Sequence, residues 1–160
     1  MVAASRPAIE IRAMRREDLD AVSAMENASY DFPWSPGIFA DCLKAGHPAW
    51  VLRVDGTAAG YGILSIAAGE AHVLNLCIGP EWRGQGLGRH LLRRLLDIAR
   101  WSGAMRVFLE VRPSNPVAQE LYLSVGFKEI GRRPRYYPAL GGRETAIVMA
   151  LDMAEGHIKQ

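Results

Sequence analysis

The sequence predicts a single α/β domain, a mixed sheet with helices on both faces. Two observations carry this. Strand-like alternation and helical periodicity follow one another in the order β-α-α-β-β-β-α-β-α-β-β. No linker, internal repeat or low-complexity tract breaks that order, and 160 residues suit one domain with its own core. Residues 1–160 are therefore expected to be one domain, with a core spanning about 9–153 and flexible ends.

The elements can be justified in turn. "AIEIRAM" (Ala8 to Met14) alternates like a first strand. Glu17 to Tyr30 follows as a helix, with Leu19, Val22 and Met25 about one turn apart. Ser35 can cap a second helix that has Pro36 at its first position. Three strands come next. Asp55-Gly56 is a hairpin turn signal, the Gly69-Glu70 region marks a second turn, and "VLNLCI" (Val73 to Ile78) is apolar enough for a central strand. Leu87, Leu91, Leu92, Leu95, Leu96 and Ala99 share one helical face. "MRVFLEV" (Met105 to Val111) is a further strand. Asn115 then caps a short helix that opens on Pro116 and stops at Gly126. "FKEIGRR" and "ETAIVMALDM" are the last strands, joined by a Tyr-Pro-Gly loop.

Composition excludes several classes. The formal charge is only +2, which gives no basis for bulk nucleic-acid binding. The N-terminus lacks the long apolar run of a secretory signal. No stretch approaches the ~20 apolar residues of a membrane span, so a cytoplasmic protein is expected. Cys42 and Cys77 form no paired motif and read as reduced core thiols. His47, His72, His90 and His157 lack metal-ligand spacing, so no metal is expected.

"PEWRGQGLGRHLLRRLL" (Pro80 to Leu96) carries the strongest functional signal. Glycine weakens a helix, yet Gly84, Gly86 and Gly88 crowd the start of one. The first N–H groups of a helix lack internal partners, and its dipole favours an anion there. Glycines without Cβ atoms let a phosphate come close. The ordinary alternative is a tight turn with close helix–strand packing. No Gly-Lys-Ser/Thr follows, so this is not a mononucleotide P-loop. The G-x-G-x-G spacing after a late strand also departs from a dinucleotide fingerprint.

"RGQGLG" (Arg83 to Gly88) resembles the acetyl-CoA pyrophosphate loop of the GCN5-related N-acetyltransferases. The resemblance runs from about Ile9 to Met153 and implies that family's fold, with a central, mostly antiparallel sheet. "FPWS" (Phe32 to Ser35), "LEVRPSNPVAQELYLSVGF" (Leu109 to Phe127), and "YYP" with "GRETAIVMAL" (Tyr136 to Leu151) resemble its RimI-type branch. That branch acetylates the N-terminal alanine of the eighteenth small-subunit ribosomal protein. The resemblance implies acetyl-CoA as co-substrate, held by Arg83, Gly84, Gln85, Gly86, Leu87, Gly88, Arg89 and Asn115. It also implies that the backbone of Leu76, Cys77 and Ile78 pairs with the pantetheine arm.

Acetyl transfer to an amine needs a base for the amine, support for the carbonyl oxygen and a proton for the departing thiolate. Glu110 interrupts an apolar strand, and partial burial would raise its pKa toward a working base. The alternative is a solvent-facing carboxylate beside Arg106 and Arg112; the resemblance favours the base. Tyr122, two helical turns beyond Asn115, could protonate the thiolate or simply pack in the core. The matching tyrosine of the family is the general acid. Asn115 can serve as helix cap and cofactor contact at once. Cys77 as a nucleophile is disfavoured, because nothing near it in sequence suggests activation.

An α-amine titrates near ~7.7–8.0 and a lysine near ~10.4, so a lysine needs about 3.4 kcal/mol more help to be neutral. One modest base therefore suits an α-amine better. The aromatic loops "FPW" (Phe32, Trp34) and "RYYP" (Tyr136, Tyr137) could grip an acceptor peptide or merely anchor themselves. Arg132, Arg133 and Arg135 could attract acidic residues of that peptide or form a solvated face. Competing expectations keep the fold but change the acceptor to a lysine, other N-termini or a small amine. A non-catalytic acyl-CoA-binding module is disfavoured by the joint presence of Glu110 and Tyr122.

Overall fold

The structure is a computed structural model and describes residues 6–153. The expected flexible ends lie largely outside the described residues, as does His157. The elements are β1 (Ile9–Ala13), α1 (Leu19–Ser29), α2 (Pro36–Lys44), β2 (Ala49–Val54), β3 (Thr57–Ala67) and β4 (Glu70–Ile78). They continue as α3 (Leu87–Trp101), β5 (Arg106–Val111), α4 (Pro116–Val125), β6 (Lys128–Ala139) and β7 (Gly142–Asp152). The seven strands form one sheet in the order β1-β2-β3-β4-β5-β7-β6. Neighbours are antiparallel except β4 and β5, which run parallel. The sheet is thus mixed and mostly antiparallel, as expected.

Helices cover both faces. The predicted apolar face of α3 is buried at all six positions. Together with Tyr122 and Val125 of α4 it packs on Val107, Leu109, Ile147 and Met149. Burying each such leucine is worth about 1.5–3 kcal/mol. A Cβ on Gly62 would lie 2.6 Å from Leu95 Cδ1, so only glycine lets α3 rest this closely on β3. On the opposite face α1 and α2 bring Val22 and Phe39 onto Val51, Tyr61, Ile63 and Cys77. Cys42 and Cys77 are free and buried.

Local chemistry explains most boundaries. Ser35 accepts the Ile38 N–H at 3.4 Å and Asn115 accepts the Ala118 N–H at 3.2 Å, each ahead of a proline at the first helical turn. Gly126 closes α4 in the left-handed region at φ 118°. The first helix begins later than its pattern suggests. Residues Arg16–Asp18 form a 3₁₀ turn, because Asp18 accepts from Arg12 Nη1 and Nη2 at 2.7 and 2.8 Å and from the Arg15 N–H at 2.7 Å.

The last hairpin differs from expectation. Where the pattern predicts a Tyr-Pro-Gly loop, β6 continues to Ala139, so Tyr136 and Tyr137 lie in a strand. Prolines in "RRPRYYP" argue against a regular strand. The register breaks between Arg133 and Tyr137, and Arg135 bulges at φ 55°. Pro134 falls in that bulge, at the edge of the sheet, where its missing N–H costs no ladder bond.

Candidate active site

The parallel pairing of β4 and β5 covers only Glu70–Arg106, Ala71–Val107 and His72–Phe108. Beyond His72 and Phe108 the two strands diverge. The β4 edge from Val73 to Ile78 is then unpaired on the β5 side, and a cleft of about 1180 Å³ opens there. Leu74 has no partner in the β3–β4 register, which steps from Ile63–Asn75 to Leu64–Val73. That bulge turns Asn75 to Ile78 along the cleft wall.

One end of the cleft is the glycine loop. Gly84 and Gly86 sit in the left-handed region at φ 79° and 77°, and nothing lies within 4 Å of where their Cβ atoms would be. Gly86 caps α3 without a side-chain bond, and no acidic residue occupies the first turn. The N–H groups there are open to an anion, and Arg83 is held at the mouth by its Nε donating to Ile78 O at 3.1 Å. These features fit the pyrophosphate of a coenzyme A thioester. Gly88 is already helical and also lines the cleft; a Cβ there would meet Leu121 Cδ2 at 3.4 Å, an ordinary contact.

The predicted residues mostly converge. Leu76, Cys77, Ile78, Arg83, Gly84, Gly86, Leu87, Gly88 and Asn115 line the cleft, as do Glu110 and Tyr122. Of the residues expected to meet the acceptor, Phe32, Trp34 and Tyr137 line it too. Gln85, Arg89 and Tyr136 stand outside its lining. Tyr136 instead packs edge-on against Tyr137, with ring centroids 4.9 Å apart.

Glu110 is not the solvent-facing carboxylate of the alternative reading, for its side chain is only 8% exposed. Its Oε2 pairs with His72 Nε2, and its Oε1 lies 3.9 Å from Arg133 Nη1. Tyr122 is buried, its ring 5.7 Å from that of Phe127. Burial pushes its phenol pKa above the ordinary tyrosine value, so the hydroxyl keeps its proton at neutral pH. Burial also pushes Tyr137 up, with the negative charge of Glu110 adding to the effect.

Arg112 joins the two aromatic segments. Its guanidinium lies 4.3 Å from the Tyr137 ring and 5.9 Å from the Phe32 ring. Nη1 donates to Pro138 O at 2.8 Å and to Glu144 Oε1 at 3.1 Å. Of the basic run, Arg132 is paired with Glu129 at 3.1 Å, while Arg133 lies over the Tyr136 ring at 5.3 Å.

Two participants carry no motif. Glu26 is a buried carboxylate, 2% exposed, that accepts from Tyr61 Oη at 2.5 Å, the Trp34 N–H at 2.8 Å and Asn75 Nδ2 at 3.0 Å. Its signal was a charge one turn after the apolar Val22. His72 was legible only as a polar residue in an alternating strand. Cys77 is buried, its Sγ 3.4 Å from Ser29 Oγ, and faces no histidine partner in these contacts. Among the described residues no group of three His, Cys, Asp or Glu side chains could hold a metal ion. Nor is any described helix long and apolar enough to cross a membrane.

A parted parallel strand pair, a glycine turn at a helix start and a buried carboxylate meet in one cleft, an arrangement that suits an acyl-CoA-dependent transferase. The chain belongs to the acetyltransferase (GNAT) family, which matches residues 10–127, and it is an N-acetyltransferase that uses acetyl-CoA. It is 38% identical over 144 residues to the ribosomal protein bS18-alanine N-acetyltransferase of Escherichia coli K12, covering 90% of this chain and 97% of that one. The enzyme of the same name from Salmonella typhimurium is 36% identical over 137 residues, 86% of this chain and 93% of its own. The crystal structure of the E. coli ribosomal-protein-S18-alanine N-acetyltransferase superposes with a TM-score of 0.85 at 36% identity, covering 96% of each chain.

Proposed function

We propose that this protein acetylates the N-terminal alanine of ribosomal protein bS18, with Glu110 as general base and Tyr122 as general acid. The observation that carries this reading is the meeting of both groups in one cleft beside an open helix N-terminus. Relatives that act on that protein, matched over nearly their whole length, support the acceptor. A ribosomal protein as acceptor favours a cytoplasmic site of action.

Acetyl-CoA supplies the activated acetyl group as a thioester. Glycine-loop N–H groups and Arg83 hold its pyrophosphate, and the free β4 edge aligns its arm. Phe32, Trp34 and Tyr137 hold the acceptor's first residues. Glu110 removes a proton from the α-ammonium so that the amine lone pair can form the C–N bond. As the C–S bond breaks, Tyr122 Oη donates its proton to the thiolate. The nitrogen, which still carries two hydrogens after C–N bond formation, gives one up to solvent to become the amide, and Tyr122 is reprotonated from solvent. Direct transfer needs no acetyl-cysteine, which agrees with the surroundings of Cys77.

The test is thiol release from acetyl-CoA against matched hexapeptides. One begins with the alanine N-terminus of bS18. Another has that N-terminus blocked and a lysine added, and a third begins with Met-Leu. Turnover confined to the free alanine peptide supports the proposal. Turnover on the blocked lysine peptide moves the reaction to side chains and overturns it.

A further inference from the structure

Glu110 has two sides. It lines the large cleft, and it also lines a separate cavity of about 350 Å³ with His72, Phe108, Arg133, Ser65 and Val148. The carboxylate thus stands as a partition between the two spaces. Once an acceptor peptide and acetyl-CoA fill the cleft, the smaller cavity is the side on which Glu110 still approaches water. His72 occupies that side. Its Nε2 meets Glu110 Oε2, and its side chain is 36% exposed against 8% for the carboxylate.

We propose that His72 is a proton relay, carrying the proton that Glu110 takes from the acceptor amine out to solvent through the smaller cavity. This rests on Glu110 being the base. The step balances without another reactant. Neutral His72, with its proton on Nδ1, accepts the Glu110 carboxyl proton at Nε2. Glu110 is again a carboxylate, and His72 is an imidazolium. The imidazolium gives its Nδ1 proton to water, leaving Nε2–H donating to the Glu110 carboxylate. Before the next turnover the ring swings away from Glu110 into the smaller cavity, where exchange with solvent returns the proton to Nδ1.

Groups of both signs face the ring from the elements packed around it. Ser65 of β3 and Phe108 of β5 lie opposite His72 in the sheet. Glu110 of β5 and Glu70 of β4 border the cavity with negative charge, while Arg133 of β6 borders it with positive charge. Arg106 of β5 lies over the Phe108 ring at 5.0 Å. Arg133 Nη1 lies 3.9 Å from the other carboxylate oxygen, Oε1, and so leaves Oε2 to His72.

The experiment compares the full chain with His72→Ala, His72→Gln and Glu110→Gln, using acetyl-CoA and the alanine hexapeptide. Gln can donate a hydrogen bond to Glu110 but cannot carry a proton through. Both His72 variants are expected to lose about 10–100-fold in kcat, with KM for both substrates nearly unchanged. Added imidazole should restore His72→Ala, increasingly as more of it is in the free-base form. Unchanged kcat in both His72 variants, full activity in His72→Gln, or failure of imidazole to rescue His72→Ala would each overturn the relay. Glu110→Gln separates the two claims. If it is inactive while both His72 variants are normal, the base stands and the relay falls. If it remains active, the base reading itself has failed.

Discussion

The Glu26 carboxylate accepts the backbone N–H of Trp34 at 2.8 Å, across the whole turn that follows α1. One oxygen thereby fixes the segment carrying Phe32 and Trp34, while the other is bonded to Tyr61 and Asn75 of the sheet. A buried charge on α1 thus sets the position of the cleft wall that carries Phe32 and Trp34.

Glu26→Ala would leave the Tyr61 hydroxyl, the Asn75 amide and the Trp34 N–H without this partner. Each buried unsatisfied group costs about 1–3 kcal/mol. A loss of about 3 kcal/mol is expected, which lowers Tm by about 6–12 °C for a chain of this size. Calorimetry would measure it. Peptide KM should rise while KM for acetyl-CoA stays put, because the glycine loop lies outside this network.

Tyr122→Phe should lower kcat about 100-fold or more with little change in either KM. Burial holds the phenol above its ordinary pKa, so the acid form persists across the neutral and mildly alkaline range. Wild-type kcat should therefore show no fall assignable to Tyr122 up to about pH 9.5. An alkaline fall near pH 9 that vanishes in Tyr122→Phe would contradict this assignment.

The glycine loop allows a cleaner dissection. Gly86→Ala forces a side chain into the left-handed region, at a cost of about 1–2 kcal/mol, and places a methyl where an anion would approach. KM for acetyl-CoA should rise about tenfold with peptide KM unchanged. At Gly88, inside the helix, an added Cβ would meet Leu121 and Ile78 only at ordinary contact distance, so Gly88→Ala should change KM for acetyl-CoA less than Gly86→Ala does. Equal effects on coenzyme binding from both variants would refute this division of labour.

Asp18 tests the acid stability of the N-terminal strand. The hydrogen bond from Arg12 holds its carboxyl below the usual aspartate range, against the opposing effect of burial. A depressed folded-state pKa contributes stability that is present above the unfolded value and lost as pH falls through the folded one. Asp18→Asn should therefore be less stable than wild type at pH 7 by about 1–3 kcal/mol. The gap should close as pH drops below the ordinary aspartate value of ~3.9. Urea midpoints across that range would show it.

Much of this was legible because local chemistry and global packing agree. The leucine face of α3 and the caps at Ser35 and Asn115 are read directly from period and residue type. Glu110 and Tyr122 were legible through resemblance, since a carboxylate in a strand and a tyrosine in a helix have ordinary structural uses. Tyr136 and Tyr137 were misplaced in a loop because Pro134 hides a bulge that only sheet pairing reveals. Glu26 and His72 escaped because the sheet partners of Glu26 are 35 and 49 residues away and the partner of His72 is 38 away in sequence. No spacing rule reaches that far.

The early parting of β4 and β5 also divides the molecule mechanically. Three residue pairs tie the four-stranded N-terminal half of the sheet to its three-stranded C-terminal half, with α3 and α4 bridging below. Such a joint leaves backbone hydrogen-bonding capacity unused along β4. A co-substrate lying along the bare edge of β4 would act as an eighth strand, stitching the halves together. Its binding energy would then be shared with folding, adding about 2.7 kcal/mol at a hundredfold excess over Kd. The enzyme would be stiffest while carrying its acetyl donor and loosest just after letting the spent thiol go.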